Sequence, residues 1–231
     1  MDYLKKYSVN DSDIERIKNF IPRDEIYTME ENEFNEMVEA FSSYLFLNHS
    51  IPIFTDNESN FICLYISGAM KGKVFCNQHD DTMLAPLFKD LTSFLDFLDT
   101  NPQFSQIYQF SNYWKNITHW DYPTKNEELK NLEIIEKLQQ EFNASADYFE
   151  QDNLAYSIMA LTPYSFIEEI IYPFLIHEDF LIAEFAINML GYYEYIPAIA
   201  KLEEMQKTAK SNAKRVLDKI LPQVKNIEKN R

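Results

Sequence analysis

The fold of the N-terminal half is decided by the stretch Phe61-Ile62-Cys63-Leu64-Tyr65-Ile66. It is continuously apolar, rich in β-branched and aromatic residues and too short for a helix, so it predicts a central β-strand covered on both faces. Gly68 and Gly72 follow and predict the connection of a hairpin, whose second strand is Lys73-Val74-Phe75-Cys76. The earlier run Ile51-Pro52-Ile53-Phe54 predicts one more strand of the same small antiparallel sheet.

Three helices are predicted around this sheet. The capping box Ser12-x-x-Glu15 predicts the start of the first helix, and Thr28-x-x-Glu31 predicts the start of the second. The second helix is predicted at 31–47, where apolar side chains recur at helical spacing. They are Phe34, Met37, Val38, Phe41 and Leu45. The third helix is predicted at 92–99.

Beyond residue 122 the pattern predicts helices and no strand. Thr162-Pro163 predicts a helix start, with proline in the first turn, and Pro173 predicts a kink in the helix that follows. Gly191 predicts the end of the next helix. Two more helices are predicted, one from Ile196-Pro197 and one from Ser211 to Leu221.

We therefore expect two domains. Residues 1–122 form an α+β domain, with a small antiparallel sheet packed against helices, and residues 123–231 form an all-helical domain. No apolar run reaches the roughly 18 residues that a membrane span requires. The first residues are not followed by the apolar stretch of a secretion signal, so we expect a cytoplasmic protein. In that compartment Cys63 and Cys76 are expected to be buried, reduced thiols.

The charge of the chain is strongly negative and unevenly distributed. The net charge is −16 at pH 7. Residues 201–231 contain nine basic and four acidic residues, so residues 1–200 contain 12 basic and 33 acidic ones, a charge of −21. Such a body repels nucleic acid and anionic lipid and attracts basic proteins. Solubility alone is the alternative explanation of this charge. The basic residues of 201–231 could indicate nucleic-acid binding, but most of them are expected to line the polar face of the last helix.

The common catalytic and cofactor motifs are missing. With three glycines in 231 residues, the chain has no G-x-G-x-x-G and no G-x-x-x-x-G-K-[ST] loop. It also has no G-x-S-x-G elbow and no H-E-x-x-H motif, and its four histidines lack paired spacing. We expect a protein that is not an enzyme and that carries no cofactor and no metal.

The candidate binding residues lie in loops. Asp56 and Glu58 belong to an acidic turn, and His79-Asp80-Asp81 follows the hairpin, at what we expect to be the opposite ends of the adjoining strands. A metal site at His79, Asp80 and Asp81 is disfavoured, because adjacent residues of an extended chain point to opposite faces. Trp120 is either a binding epitope or part of a buried contact between the domains. Reversing the acidic residues of these loops to lysine is expected to leave folding nearly intact.

Two family resemblances add to these expectations. A series of short motifs runs through residues 31–98 in a fixed order. It comprises Ile51-Pro52-Ile53-Phe54, Asp56-Asn57-Glu58-Ser59-Asn60, Phe61-Ile62-Cys63-Leu64, Gly72-Lys73-Val74-Phe75, His79-Asp80 and Leu91-Thr92-Ser93-Phe94-Leu95-Asp96-Phe97-Leu98. This order resembles the SUKH superfamily, the cell-wall-regulator-like family rich in bacterial immunity proteins.

The C-terminal half has a resemblance of its own. Phe180-x-x-Ala183-x-x-Ala186-x-x-Met189-Leu190-Gly191 precedes Tyr195-Ile196-Pro197-Ala198-Ile199. Residues 162–221, which contain these motifs, are similar to HEAT-like helical repeats.

Three functions follow as hypotheses. The SUKH resemblance implies a protein that neutralises a toxin by direct binding. The charge favours a basic, nuclease-like toxin as the partner. The second hypothesis is a regulatory or scaffold module that binds partners through its helical half. The third is a hydrolase with a carboxylate site.

Overall fold

The computed structural model describes most of the chain, namely residues 1–79, 83–110, 125–209 and 211–230. The chain divides into two compact units, residues 1–113 and residues 114–231. Within the described ranges the first unit combines a sheet with helices, and the second contains helices and no strand. The predicted boundary between residues 122 and 123 lies outside the described residues and stays a prediction.

The first unit is built on a four-stranded antiparallel sheet with the order β1-β2-β3-β4. The strands are β1 (Tyr27–Thr28), β2 (Ser50–Thr55), β3 (Phe61–Tyr65) and β4 (Val74–Asn77). The prediction of β2, β3 and β4 is confirmed, and every residue of β3 is buried, as its continuous apolarity indicated.

The central strand β2 contains a proline, which its pairing accommodates. The register shifts between Pro52 and Phe54, so Ile53 is an extra residue opposite β3. Such an irregularity is where a sheet tolerates a residue that has no N–H to donate.

Helices α1 (Asp11–Lys18), α2 (Glu31–Ser42) and α3 (Leu91–Thr100) accompany the sheet, with 3-10 turns at Asp2–Tyr7 and Ile107–Phe110. The helix α3 packs on the sheet through aromatic rings. The Phe94 ring centroid lies 5.8 Å from that of Phe54 in β2 and 5.6 Å from that of Phe110.

Both predicted capping boxes of this unit are wrong. Asn10 caps α1, with its Oδ1 accepting from the Asp13 amide at 2.8 Å, while the Ser12 hydroxyl donates to Asn10. Thr28 pairs with Phe54 in the sheet, so it is not available to cap α2. The second helix also ends at Ser42 and not at residue 47, which leaves Leu45 exposed.

The second unit contains α4 (Lys125–Ala144), α5 (Tyr148–Leu161), α6 (Ile167–Ile170), α7 (Phe180–Tyr192), α8 (Ile199–Thr208) and α9 (Ser211–Asn230). The sequence did not predict α5. Its residues 153–161 are all buried, and a helix that is buried on every side has no apolar stripe to detect.

Four details of the helical half can be compared with the predictions. The interruption at Pro173 is confirmed, because α6 is followed by a 3-10 turn, Tyr172–Ile176. Thr162 ends α5 instead of starting a helix, and its Oγ1 donates to the Ile158 carbonyl at 2.8 Å. Gly191 lies inside α7 rather than after it. The last helix continues through Pro222 to Asn230 instead of ending at Leu221.

Within the parts of the chain that the structure describes, no helix combines the length and the apolarity needed to cross a membrane.

Candidate functional site

The acidic turn at Asp56 and the described start of the second predicted loop, His79, lie at one end of the sheet. Thr55 is paired with Phe61 and Phe61 with Asn77, so the end of β2, the start of β3 and the end of β4 lie side by side. The expectation that the two loops sit at opposite ends of adjoining strands is therefore wrong. Asn60 links the loops, because its side chain donates to Asp56 and accepts from the backbone N–H of His79 at 2.9 Å.

Asp56 holds the turn together. Its Oδ1 accepts from the backbone amides of Glu58 at 2.7 Å and Asn60 at 3.0 Å. Asn57 and Ser59 in the same turn have positive φ angles of 65° and 87°, a conformation that needs such support. The carboxylate of Asp56 is thus occupied, and its replacement by lysine removes a structural contact rather than a solvated charge.

The other predicted site residues divide into two groups. Glu58 and His79 are exposed at this end of the sheet. Asp80, Asp81 and Trp120 lie outside the described residues. Of the six predicted binding residues, the structure brings together Asp56, Glu58 and His79. Across the described residues there is no group of three or more His, Cys, Asp or Glu side chains placed to hold a metal ion.

Both cysteines are buried free thiols, as predicted. Cys63 stands opposite Phe75 and Cys76 stands opposite Ile62, so the two cysteines lie on opposite faces of the sheet. Burial raises the pKa of the Cys63 thiol well above its ordinary value. The two sulfurs are therefore core groups and not a redox pair.

A groove of about 740 Å³ opens in the first unit between the ends of α1 and α3. Its two arginines are engaged. Arg23 donates to the carbonyl of Leu98 in the last turn of α3 at 2.6 Å and to the carbonyl of Phe104, beyond that helix, at 2.7 Å. Arg16 forms ion pairs with Asp96 and Asp99 of α3. These contacts stabilise the C-terminal end of α3. Both arginines therefore have a structural role, and we do not assign the groove a binding function.

His49 and Ser67 form an exposed pair that the sequence did not reveal. The His49 Nδ1 and the Ser67 Oγ are 2.7 Å apart. Nucleophilic catalysis by such a pair needs a third group that orients the base. Among the described residues no carboxylate forms a hydrogen bond with His49.

The second unit has an acid-lined recess of about 280 Å³ where the first turn of α5 meets the start of α7. It is lined by Tyr148, Gln151, Asp152, His177, Glu178, Asp179 and Ile182. Asp179 caps α7, accepting from the Leu181 amide at 2.8 Å, and its own N–H donates to Nδ1 of His177 at 3.1 Å. Burial and the neighbouring Asp179 raise the pKa of Asp152, while His177 acts against this rise.

Four large apolar side chains are exposed in or next to the segments that line this recess: Tyr148 lines it, and the other three are chain neighbours of its lining residues His177, Asp179 and Ile182. Tyr148 is 79% exposed, Ile176 77%, Phe180 55% and Leu181 44%. We call these four residues the end face of the helical unit. The sequence signal that could have revealed it is Ile176-His177-Glu178-Asp179-Phe180-Leu181, in which apolar residues flank two acids between helices.

Comparison with protein-family models, curated proteins and solved structures gives no match for this chain. The SUKH and HEAT-like resemblances therefore stay predictions.

Proposed function

We propose that this chain is a non-catalytic binding protein for a basic protein, and that it neutralises a toxin in the manner of an immunity protein. The observation that carries the proposal is the charge of −21 on residues 1–200. A surface of that charge raises the association rate of a basic partner and excludes nucleic acid and anionic membranes. The proposal includes a cytoplasmic location, in keeping with two reduced cysteines.

The binding mode follows from elementary electrostatics. A nuclease-like toxin needs a cationic cleft to hold its substrate, and an acidic protein that covers the cleft competes with the substrate for it. No bond is made or broken in this step. The inhibitor needs a long-lived complex, which exposed apolar groups within an acidic surface provide by slowing dissociation.

The gene next to the one for this chain offers the test. We expect its product, expressed alone in bacterial cells, to arrest growth, and co-expression of this chain to restore growth. The two proteins should elute as one complex in size-exclusion chromatography. An unrelated acidic protein of similar net charge is the matched control and should not rescue. A harmless neighbouring product, or a toxic one that this chain neither binds nor neutralises, would contradict the proposal.

One observation favours a second function, a regulatory or scaffold module that binds through the helical half. The end face exposes large apolar side chains in that half. The same co-expression experiment separates the two functions, because a scaffold would form a complex with its partner without affecting any toxicity.

A further inference from the structure

We infer that the end face is the docking surface for a positively charged, amphipathic segment of the protein partner. This inference rests on the proposed function insofar as the partner is basic. It adds the place of binding, which lies in the helical unit and not at the acidic loops of the sheet.

The apolar part of the surface is concentrated. Ile176, Phe180 and Leu181 belong to a single stretch of six residues, and Tyr148 lines the same recess as the neighbouring His177, Glu178 and Asp179. Single exposed apolar residues are ordinary, whereas three large ones within six residues, with a fourth in the adjoining recess, are typical of an interaction site.

The charge around these residues selects the kind of partner. Residues 141–158 and 174–190, which contain the end face, hold seven acidic residues and no lysine or arginine. Asp147 and Asp179 cap helices and Glu184 lies 3.7 Å from Arg215. Asp152 and Glu178 line the recess and, among the described residues, form no ion pair. A cationic side chain inserted between them would find two carboxylates that, among the described residues, have no lysine or arginine partner.

The surroundings of Asp152 disfavour its charge, and His177 offsets this only in part. Asp152 is partly buried and lies near Asp179, and these two causes raise its pKa in that order. A lysine or arginine of a partner would reduce the repulsion between the carboxylates. This electrostatic gain would add to the free energy gained by burying apolar surface.

The same charges exclude the other occupants. A second copy of this chain would bring an equally acidic face against the first, and like charges disfavour that contact. Anionic lipid and nucleic acid are repelled for the same reason. An amphipathic helix fits, because its apolar anchors at intervals of three and four residues can meet the exposed side chains while its lysines meet the acids.

Fluorescence anisotropy with the full chain provides the test. The probe is a labelled helical peptide of leucine and lysine, about 18 residues long so that the helix is stable enough. Two control peptides separate the contributions, one of leucine and glutamate and one of serine and lysine with the same charge. We expect the leucine–lysine peptide to bind at least tenfold more tightly than either control. Equal binding of the serine–lysine peptide would overturn the docking surface, because it would show attraction by charge alone.

Variants locate the site on the protein. Ile176→Ser with Phe180→Ser is expected to weaken binding about tenfold or more, and Glu178→Lys about tenfold. The matched controls are Ile21→Ser, at an apolar side chain 83% exposed in the first unit, and Glu58→Lys at an exposed acid of the sheet. All five substitutions lie at exposed positions, and circular dichroism checks that each of the four variants is folded. Loss in the controls to the same degree, or none in the end-face variants, would overturn the inference.

The outcome is separable from that of the proposed function. If the end-face variants still neutralise the neighbouring gene product as well as the unmodified chain, the docking surface is wrong and the proposed function stands. If the end face binds the leucine–lysine peptide but the chain rescues no cells, the surface stands and toxin neutralisation fails. A dimer that the end-face changes dissolve would identify a second copy as the occupant and would also overturn the inference.

Discussion

Gly191 shows how a single missing side chain fixes the packing of two helices. It lies inside α7 and is buried where α7 packs against α9. A Cβ at this position would lie 2.8 Å from Cδ1 and 3.0 Å from Cγ2 of Ile220. The Cγ2 contact cannot be relieved by a small rotation, because β-branched side chains have one strongly preferred χ1 rotamer in a helix.

We therefore predict that Gly191→Ala destabilises the protein despite the better helix propensity of alanine. Overpacking a core costs about 1–3 kcal/mol, and the propensity gain of up to about 1 kcal/mol offsets part of it. Urea unfolding measures the difference. In the background of Ile220→Ala, which opens the site, the same glycine change should instead be neutral or stabilising. A single Gly191→Ala variant that is more stable than the unmodified protein would contradict the packing.

Asp152 provides a prediction about pH. Its pKa is raised above the ordinary 3.8 by burial and by Asp179, so its ionised form is disfavoured in the folded state. The cost is present above the folded pKa and disappears as the pH falls and the carboxyl is protonated in both states. We expect Asp152→Asn to melt at a higher temperature than the unmodified protein at pH 7, and the difference to vanish below about pH 3.8. Glu58→Gln is the control and should show no comparable difference. A lower melting temperature for Asp152→Asn at pH 7 would contradict the repulsion.

At the scale of elements, the turn between β2 and β3 separates a structural acid from an exposed one. Asp56 accepts two backbone amides of its own turn, whereas Glu58 is exposed. Asp56→Ala is predicted to lower the free energy of unfolding by about 1 kcal/mol, comparable to the loss of a helix cap, and Glu58→Ala to change it by less than about 0.5 kcal/mol. Chemical denaturation of the two variants checks this. Equal effects would show that the turn does not depend on Asp56.

The elements also show what the sequence could and could not predict. The continuous apolarity of residues 61–66 predicted β3, because a strand covered on both faces has no polar side. The two-residue strand β1 exists only through its pairing with β2, so no local pattern announces it. Helix α5 is buried on all sides, so its apolar residues do not recur at the helical spacing by which a helix is predicted from sequence. At α1 the sequence predicted Ser12 as the cap, but Asn10, a residue type that caps equally well, takes that position.

At the scale of the whole molecule, the sequence predicted an α+β part followed by a helical part, because its strand-like apolar runs all lie within residues 51–76. The candidate site was less predictable. The sequence predicted the turn at Asp56 and Glu58 and the loop that begins at His79, but only the register of three strands shows that the turn and His79 lie at the same end of the sheet. The end face joins Tyr148 to the stretch around Phe180, and the packing of α5 against α7 brings these distant segments together. The contact between α5 and α7 joins residues far apart in the sequence, so no local sequence pattern predicts it.

The central claim is that an acidic surface attracts a basic protein partner, and the salt dependence of association tests it most directly. The association rate constant of the full chain with the neighbouring gene product should be measured by stopped flow at ionic strengths of about 0.1 M and 1 M. Over that range the Debye length falls from roughly 10 Å to roughly 3 Å, which screens steering between exposed charges. We predict a decrease of at least about tenfold in the association rate constant. An association rate constant that is unchanged, or that rises with salt, would contradict it.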